Sequence, residues 1–142
     1  MIDDPAQLSE SWLQLWNGGY DLADSLVAPA FRLHAAMLGG ASADGVRDPG
    51  ALVAWIDGLR RAVDDLTFEI EVGPLVDGDR MALRWRVHGR YAGGFPGATA
   101  APGTPVAFTG TDLLRVEDGR IAEYWINSDV HVLLDQLAVR GA

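Results

Sequence analysis

The order of two hydrophobic periodicities along the chain constrains its fold more than any other feature. The first half carries apolar residues at helical spacing, and the second half carries long runs in which apolar and polar residues alternate. Helices followed by consecutive strands are typical of α+β domains, in which helices pack on a largely antiparallel sheet. At 142 residues, the chain predicts a single domain over residues 1–142 with a core of its own.

Three helices are predicted in the first half. They span residues 3–17, 20–26 and 49–64, with a brief strand at 31–34 and a glycine-rich loop at 38–47 between the second and the third. Asp3 or Asp4 can cap the first helix, Pro5 suits its first turn, and Gly18 suits the position just after its end. Asp48 is the expected N-cap of the third helix, and Pro29 ends the second helical pattern.

The second half predicts a curved sheet. Strand patterns lie at residues 68–72, 81–88, 105–116 and 120–128, and a short helix follows at 130–139. Helices that pack on one face of a strongly bent antiparallel or mixed sheet form a cone, and the open mouth of a cone is a natural ligand pocket. The predicted fold class is therefore α+β, with a cone-shaped sheet, three N-terminal helices and a short C-terminal helix.

Charge and composition exclude several classes of partner. A net charge of −9 without any Lys/Arg run lacks the basic surface that nucleic acids require, and it argues against an anionic membrane surface. Without cysteine there is no disulfide or thiolate site, and three scattered histidines predict no metal site. We expect a cytoplasmic protein, because the first residues lack the basic and apolar regions of a signal peptide.

The C-terminal half carries a pattern that resembles a known family. From Leu113 to Trp125 the chain has an apolar pair, an arginine, the turn Asp118-Gly119 and then Glu-Tyr-Trp, and Asp129 follows four residues later. Further matching segments are residues 16–34, 89–97 and 133–137. Their order and spacing are similar to those of the SnoaL-like polyketide cyclases, a branch of the nuclear transport factor 2-like superfamily.

This resemblance implies a cone fold, frequent homodimers, and neither a metal nor an organic cofactor. The best-known members close a ring of an aromatic polyketide ester by an intramolecular aldol reaction, with an acidic residue as general acid and base. The chain departs from the family at Tyr91 and Tyr124, where the family has histidines. Leu113 and Arg115 also stand where polar and histidine side chains reach the pocket in characterised cyclases. These departures concern the chemistry rather than the fold.

Asp129 is the predicted general acid/base. Trp125, Asn127 and Asp129 alternate along one strand and so share a face, which in the family looks into the cone. A carboxyl among tryptophans is poorly solvated, which raises its pKa toward the range that suits proton transfer. The alternative is an N-cap role at the start of the last helix. Asn127 and His88 complete the predicted catalytic set, as groups that could steady an enolate oxygen.

Aromatic residues provide most of the predicted ligand contacts. Five tryptophans exceed what a small core needs, so we expect two or three of them to stack on a planar or polycyclic hydrophobic ligand. Phe95, among glycines, is a candidate flap over the mouth. The predicted ligand-binding residues are Trp12, Trp16, Tyr20, His34, Trp55, Trp85, Tyr91, Phe95 and Trp125.

The hairpin at residues 117–119 leaves one geometric alternative. A three-residue turn puts Asp112 on the face opposite to Trp125, whereas a two-residue turn at Asp118-Gly119 puts both on one face. We expect the three-residue turn, with Asp112 outward. An inward Asp112 would favour acid/base chemistry in the pocket.

Three functions follow from these patterns. The first is a cofactor-free cyclase or isomerase that acts by general acid/base catalysis on a hydrophobic carbonyl substrate. The second is a non-catalytic accessory protein that binds a small hydrophobic ligand. The third is an epoxide hydrolase of the limonene-epoxide-hydrolase type. In that family an Asp-Arg-Asp set activates water, and here Arg86 and His88 resemble its Arg-x-Asp while Asn127 stands where the other aspartate would be.

Overall fold

The computed structural model describes residues 2–36 and 43–139, and within them helices pack against a five-stranded sheet. The helices are α1 (Pro5–Trp16), α2 (Ala23–Leu26, after a 3-10 turn at Tyr20–Leu22), α3 (Pro49–Ala62, after a 3-10 turn at Ala43–Gly45) and α4 (Val130–Gln136). The strands are β1 (Val27–His34), β2 (Val63–Asp77), β3 (Arg80–Tyr91), β4 (Pro105–Glu117) and β5 (Arg120–Ser128). The predicted α+β class is confirmed. Residues 38–42 of the predicted glycine-rich loop lie outside the described residues.

The sheet is mixed, with the strand order β1-β5-β4-β3-β2. The strands β2 to β5 form an antiparallel meander, and β1 pairs in parallel with β5. The first strand is therefore a neighbour of the last, which brings the N-terminal helices over the C-terminal strands. This topology places α1, α3 and α4 beside the same face of the sheet, where the cavity described below forms.

Helix starts follow the predicted capping chemistry. The Asp4 carboxylate accepts a hydrogen bond from the Gln7 amide at 3.1 Å, and the Asp48 carboxylate accepts one from the Ala51 amide at 2.8 Å. A proline follows each cap at the first helical position, where a missing N–H costs nothing. After α1, Gly18 adopts a φ of 101°, a left-handed conformation that glycine takes without strain.

Strand β1 starts earlier than the sequence predicted. It spans residues 27–34 rather than 31–34, so Pro29 lies inside a strand instead of ending a helix. Because β1 is an edge strand whose pairing with β5 is irregular between Val27 and Arg32, a residue without an N–H is tolerated there. Strand β2 is also longer, over residues 63–77 rather than 68–72, and register shifts against β3 interrupt it.

The core lies between the helices and the inner face of the sheet. Its largest fully buried side chains include Trp12, Leu15, Phe31, Leu52, Ile56, Met81, Leu114, Ile121 and Tyr124. The helices that reach this core are short and amphipathic. Within the described residues, none has the length and hydropathy that crossing a bilayer would require.

Candidate functional site

A cavity of about 580 Å³ lies between α1, α3 and α4 and the inner face of the sheet. A volume of this size can hold a small ligand of two or three fused rings. Its wall is mainly apolar and aromatic, from Leu13, Trp16, Ala35, Ala36, Trp55, Gly58, Leu59, Ala62, Phe68, Trp85, Phe95, Phe108, Ile126, Val130 and Leu133. The polar side chains of Asp112, Tyr124, Asn127 and Ser128 interrupt this wall. Among the described lining residues, Asp112 and Tyr124 are the titratable groups.

Asp112 reaches the cavity because of the alternation of β4. In this strand every second residue from Val106 to Val116 faces inward and is buried, and Asp112 takes one of these positions between Gly110 and Leu114. The residue is only 2% exposed. A carboxyl group therefore stands where the pattern of the strand calls for an apolar side chain.

Three donors hold the Asp112 carboxylate. The indole nitrogen of Trp85 donates to Oδ1 at 2.9 Å, and the Tyr124 hydroxyl donates to the same oxygen at 3.0 Å. The indole nitrogen of Trp12 donates to Oδ2 at 2.9 Å. A carboxylate has about four lone-pair directions, so these contacts leave one on Oδ2 for a further proton donor.

The surroundings shift the acidity of both polar groups. Burial raises the pKa of Asp112 from 3.8 to about 6, although the hydrogen bonds from Trp12, Trp85 and Tyr124 each lower it. Burial and the nearby carboxylate raise the pKa of the Tyr124 hydroxyl well above its ordinary range. The pair thus combines a phenol that stays neutral with a carboxyl that changes its protonation state near neutral pH.

Tyr124 also connects the site to helix α1. The Trp12 ring packs edge-on against the Tyr124 ring, with centroids 4.8 Å apart. Trp12 and Trp16 lie one helical turn apart on α1, and the Trp16 ring is 6.3 Å from that of Tyr124. The indole stripe of α1 therefore serves the core and the carboxylate at once.

The predicted orientation of Asp112 was wrong. Glu117 pairs with Arg120, so the hairpin has a two-residue turn, in which both Asp118 and Gly119 have a positive φ. The register then shifts at Ala122, and Asp112 ends opposite Ile126, on the face that carries Tyr124. That face is the inner one.

The expectation that Trp125 faces the cavity was also wrong. Trp125 lies opposite Leu113, one of the exposed large apolar residues, and its ring stacks on that of His34 at a centroid distance of 5.1 Å. The His34 ring nitrogen in turn is 2.5 Å from a carboxylate oxygen of Glu123. These three side chains form a cluster on the outer side of the sheet.

The structure separates the three predicted catalytic residues. Asn127 lies at the end of β5 and lines the cavity as an exposed residue. Asp129 is at the N-cap position of α4 without a side-chain cap bond, and it accepts a hydrogen bond from the Thr109 hydroxyl at 2.7 Å outside the described lining. The His88 side chain is 57% exposed on the outer face and pairs with Glu69 at 3.2 Å.

The predicted ligand contacts divide into two groups. Those that line the cavity are Trp16, Trp55, Trp85 and Phe95. Those outside its described lining are Trp12, Tyr20, His34, Tyr91 and Trp125. Two residues of the second group form hydrogen bonds elsewhere. The Tyr20 hydroxyl donates to Asp57 at 3.1 Å, and the buried Tyr91 hydroxyl accepts a hydrogen bond from the Phe95 amide at 2.8 Å. The second contact helps to place the Phe95 ring at the cavity.

The epoxide-hydrolase set is not assembled in the cavity. Arg86 is exposed on the same outer face as His88 and pairs with Glu69 at 3.2 Å. The side chains of β3 that point inward are Met81, Leu83, Trp85 and Val87, so His88 lies on the opposite face from Trp85, although both were predicted at the site. Asp112 therefore has no described arginine beside it in the cavity.

Folding stability should depend on pH through Asp112. Its folded pKa of about 6 exceeds the unfolded value of 3.8, so the folded state binds more protons between these values. The contribution of this extra proton binding to folding stability is fully present below the unfolded pKa and is lost as pH rises through about 6. The loss between about pH 4.5 and about pH 7.5 amounts to about 2 kcal/mol.

The measurement is urea unfolding of the wild type and of Asp112→Asn across this pH range. Other carboxylates contribute equally to both proteins, so the difference between the two isolates Asp112. We expect the stability advantage of the wild type over the variant to shrink with rising pH. A difference that stays constant would contradict the raised pKa.

Comparison with known proteins agrees with this architecture. Wild-type IdmH from Streptomyces antibioticus is 27% identical, with a TM-score of 0.80 over 96% of this chain and 99% of its own. TsrD from Streptomyces laurentii is 25% identical, with a TM-score of 0.75 over 94% and 93% of the two chains. A SnoaL-like polyketide cyclase from Agrobacterium tumefaciens shares the fold at 18% identity, with a TM-score of 0.70 over 92% and 94%.

Family assignment rests on the sequence as well as the fold. No curated protein matches the chain by sequence. The family model described as SnoaL-like polyketide cyclase matches residues 6–137, which is nearly the whole chain. The α+β fold, the apolar cavity and this match agree, and the chain belongs to the SnoaL-like polyketide cyclase family.

Proposed function

We propose that the protein is a cofactor-free cyclase or isomerase in which Asp112, rather than Asp129, carries the proton. The observation that supports this most is a carboxyl group, 2% exposed, at the wall of an apolar cavity. Its pKa of about 6 suits a group that must both take and return a proton near neutral pH.

The proposed reaction begins at a carbon next to a carbonyl group of the ligand. The free lone pair of Asp112 Oδ2 takes the proton, so that the C–H bond breaks, an O–H bond forms, and the electron pair moves into an enolate. In a cyclase, the enolate carbon attacks a second carbonyl carbon of the same molecule. The new alkoxide then takes the proton back from Asp112, which restores the carboxylate. In an isomerase, the proton returns to a different carbon.

The surrounding donors assist both protonation states. The two indole N–H groups can only donate, so they favour the carboxylate. The Tyr124 hydroxyl can donate or accept, and it can therefore turn to accept a hydrogen bond when the proton of a neutral Asp112 lies on Oδ1. The apolar wall excludes water that would compete for the enolate.

A simple ketone tests this proposal without knowledge of the natural substrate. 2-Tetralone is a neutral bicyclic ketone with acidic C–H groups beside its carbonyl. We expect the protein to accelerate deuterium uptake at these positions in D₂O, as followed by proton NMR. The accelerated rate should rise with pH as Asp112 ionises, with a midpoint at a pH of about 6, and then level off.

Two results would count against an enzyme of this kind. A protein that binds 2-tetralone but leaves its exchange rate at the buffer value would instead be a ligand-binding accessory protein. A rate that rises with a midpoint near 3.9, the ordinary value for an exposed aspartate, would exclude Asp112 as the base.

A further inference from the structure

The indole N–H of Trp16, a residue of the cavity wall, is a buried donor. Trp16 is 5% exposed and lines the cavity from the last turn of α1. Its Nε1 atom has no hydrogen-bond partner among residues 2–36 and 43–139. Buried polar groups in folded proteins are nearly always paired, so an orphaned donor beside a cavity indicates an acceptor that enters the cavity.

The two indoles that bind the Asp112 carboxylate differ from Trp16 in their partners. Trp12 and Trp85 both donate to Asp112 at 2.9 Å. Trp16 instead is enclosed by rings, with centroids 5.5 Å from Trp55 and 5.2 Å from Phe68. Rings offer this donor no oxygen. The indole is held in place by packing, which keeps its N–H preorganised for a partner.

The charge of the cavity limits what that partner can be. The described lining contains one carboxyl group and no lysine, arginine or histidine. An anionic acceptor would meet no counter-charge there and would be repelled by ionised Asp112. A neutral carbonyl oxygen needs no counter-charge and accepts one N–H at little desolvation cost.

We propose that the Trp16 indole N–H binds the carbonyl oxygen of an uncharged ligand and so makes the cavity selective for neutral ketones and esters. This inference depends on the proposed function in one respect only, which is the role of the N–H during the reaction. If Asp112 removes the neighbouring proton, the same N–H holds the oxygen on which the enolate charge develops. Binding selectivity can be measured without any turnover.

The test compares 2-tetralone with tetralin, which has the same rings and a CH₂ group in place of the carbonyl. NMR titration gives the ratio of their two dissociation constants in the wild type and in Trp16→Phe. We expect the ratio to shift against 2-tetralone by about 3- to 10-fold in the variant, the effect of one net hydrogen bond. 2-Naphthoate, a planar carboxylate of similar size, should bind the wild type more weakly than 2-tetralone does.

Two further measurements keep the test independent of how well Trp16→Phe folds. In the wild type, 2-tetralone should move the Trp16 indole N–H resonance downfield, and tetralin should not. Trp125→Phe makes the same change at an indole outside the described lining of the cavity and should keep the wild-type ratio. An unchanged ratio in Trp16→Phe, equal resonance shifts with both probes, or no binding of either probe would overturn the proposal. Loss of exchange in Asp112→Asn with an unchanged ratio in Trp16→Phe would overturn this inference alone.

Discussion

Asp112→Asn is expected to lower the accelerated deuterium exchange of 2-tetralone at least 100-fold at neutral pH. An asparagine keeps the size of the side chain but cannot take a proton from carbon, and general acid/base catalysis is worth about 10²–10⁴ in rate. The residual rate should no longer change with pH near 6. Proton NMR of the exchanging positions measures both effects.

The matched control is Asp129→Asn. It makes the same chemical change at the carboxylate that the sequence favoured, which bonds to Thr109 outside the described lining of the cavity. It should keep the exchange rate within about twofold of the wild type, well inside the effect expected at a base. The opposite ranking of the two variants would return the catalytic role to Asp129.

Folding of Asp112→Asn needs its own control. The new amide N–H₂ replaces one of the two carboxylate oxygens, so it must face at least one of the three donors. Replacing Oδ2 creates the fewest conflicts, because Oδ2 accepts only the hydrogen bond from Trp12. Two donors placed face to face cost about 1–3 kcal/mol of stability. Adding Trp12→Phe removes that conflict, so the double variant should lose less stability than the sum of the losses in the two single variants, without regaining exchange. Recovery of exchange in the double variant would show that Asp112 has only a structural role.

Gly110→Ala is expected to destabilise the fold by about 1–3 kcal/mol, because a well-packed site cannot take an added methyl group. A Cβ atom at this position would lie 2.2 Å from Cζ2 and 2.8 Å from Cε2 of Trp85. The indole nitrogen is bonded to Cε2, so displacement of the ring would weaken the hydrogen bond to Asp112. Because that bond lowers the pKa of Asp112, the variant should raise it.

Urea unfolding and carbon NMR of the Asp112 carboxyl measure the two effects. Gly58→Ala is the matched control, since a Cβ there meets nothing within 4 Å. In the middle of α3, this change should instead stabilise the protein by about 0.5–1 kcal/mol. A Gly110→Ala protein with wild-type stability and an unchanged carboxyl pKa would show that the glycine does not position Trp85.

Most of the fold could be predicted because local signals agreed with one another. Capping aspartates followed by proline predicted the starts of α1 and α3, and alternation predicted that β3 is a strand. Strand β1 was shortened in the prediction because Pro29 is a strong local signal against a strand. The edge position that permits this proline depends on pairing with β5, which is remote in sequence.

The candidate site was only half predicted, and the missing half has a physical reason. The family pattern drew attention to Trp125 and to the carboxylate that follows it, so the faces of β4 were assigned from β5. The alternation within β4 itself was the better guide, since Phe108 and Leu114 share the parity of Asp112. A strand of this length sets its own inner face, whereas the relation between neighbouring strands depends on turns and irregular pairing.

The unpaired residue Ala122 determines which face of the rest of β5 points toward a ligand in the cavity. Val116 pairs with Ile121 and Arg115 with Glu123, so Ala122 has no partner across the ladder. If Ala122 instead took a regular place in the ladder, Arg115 would lie opposite Ala122 and Asp112 opposite Trp125. The phenol beside the carboxylate would then turn to solvent, and an indole would enter in its place. A relative with the same residues but an unbroken ladder would therefore differ in the chemistry of its binding site more than many substitutions along the wall would make it differ.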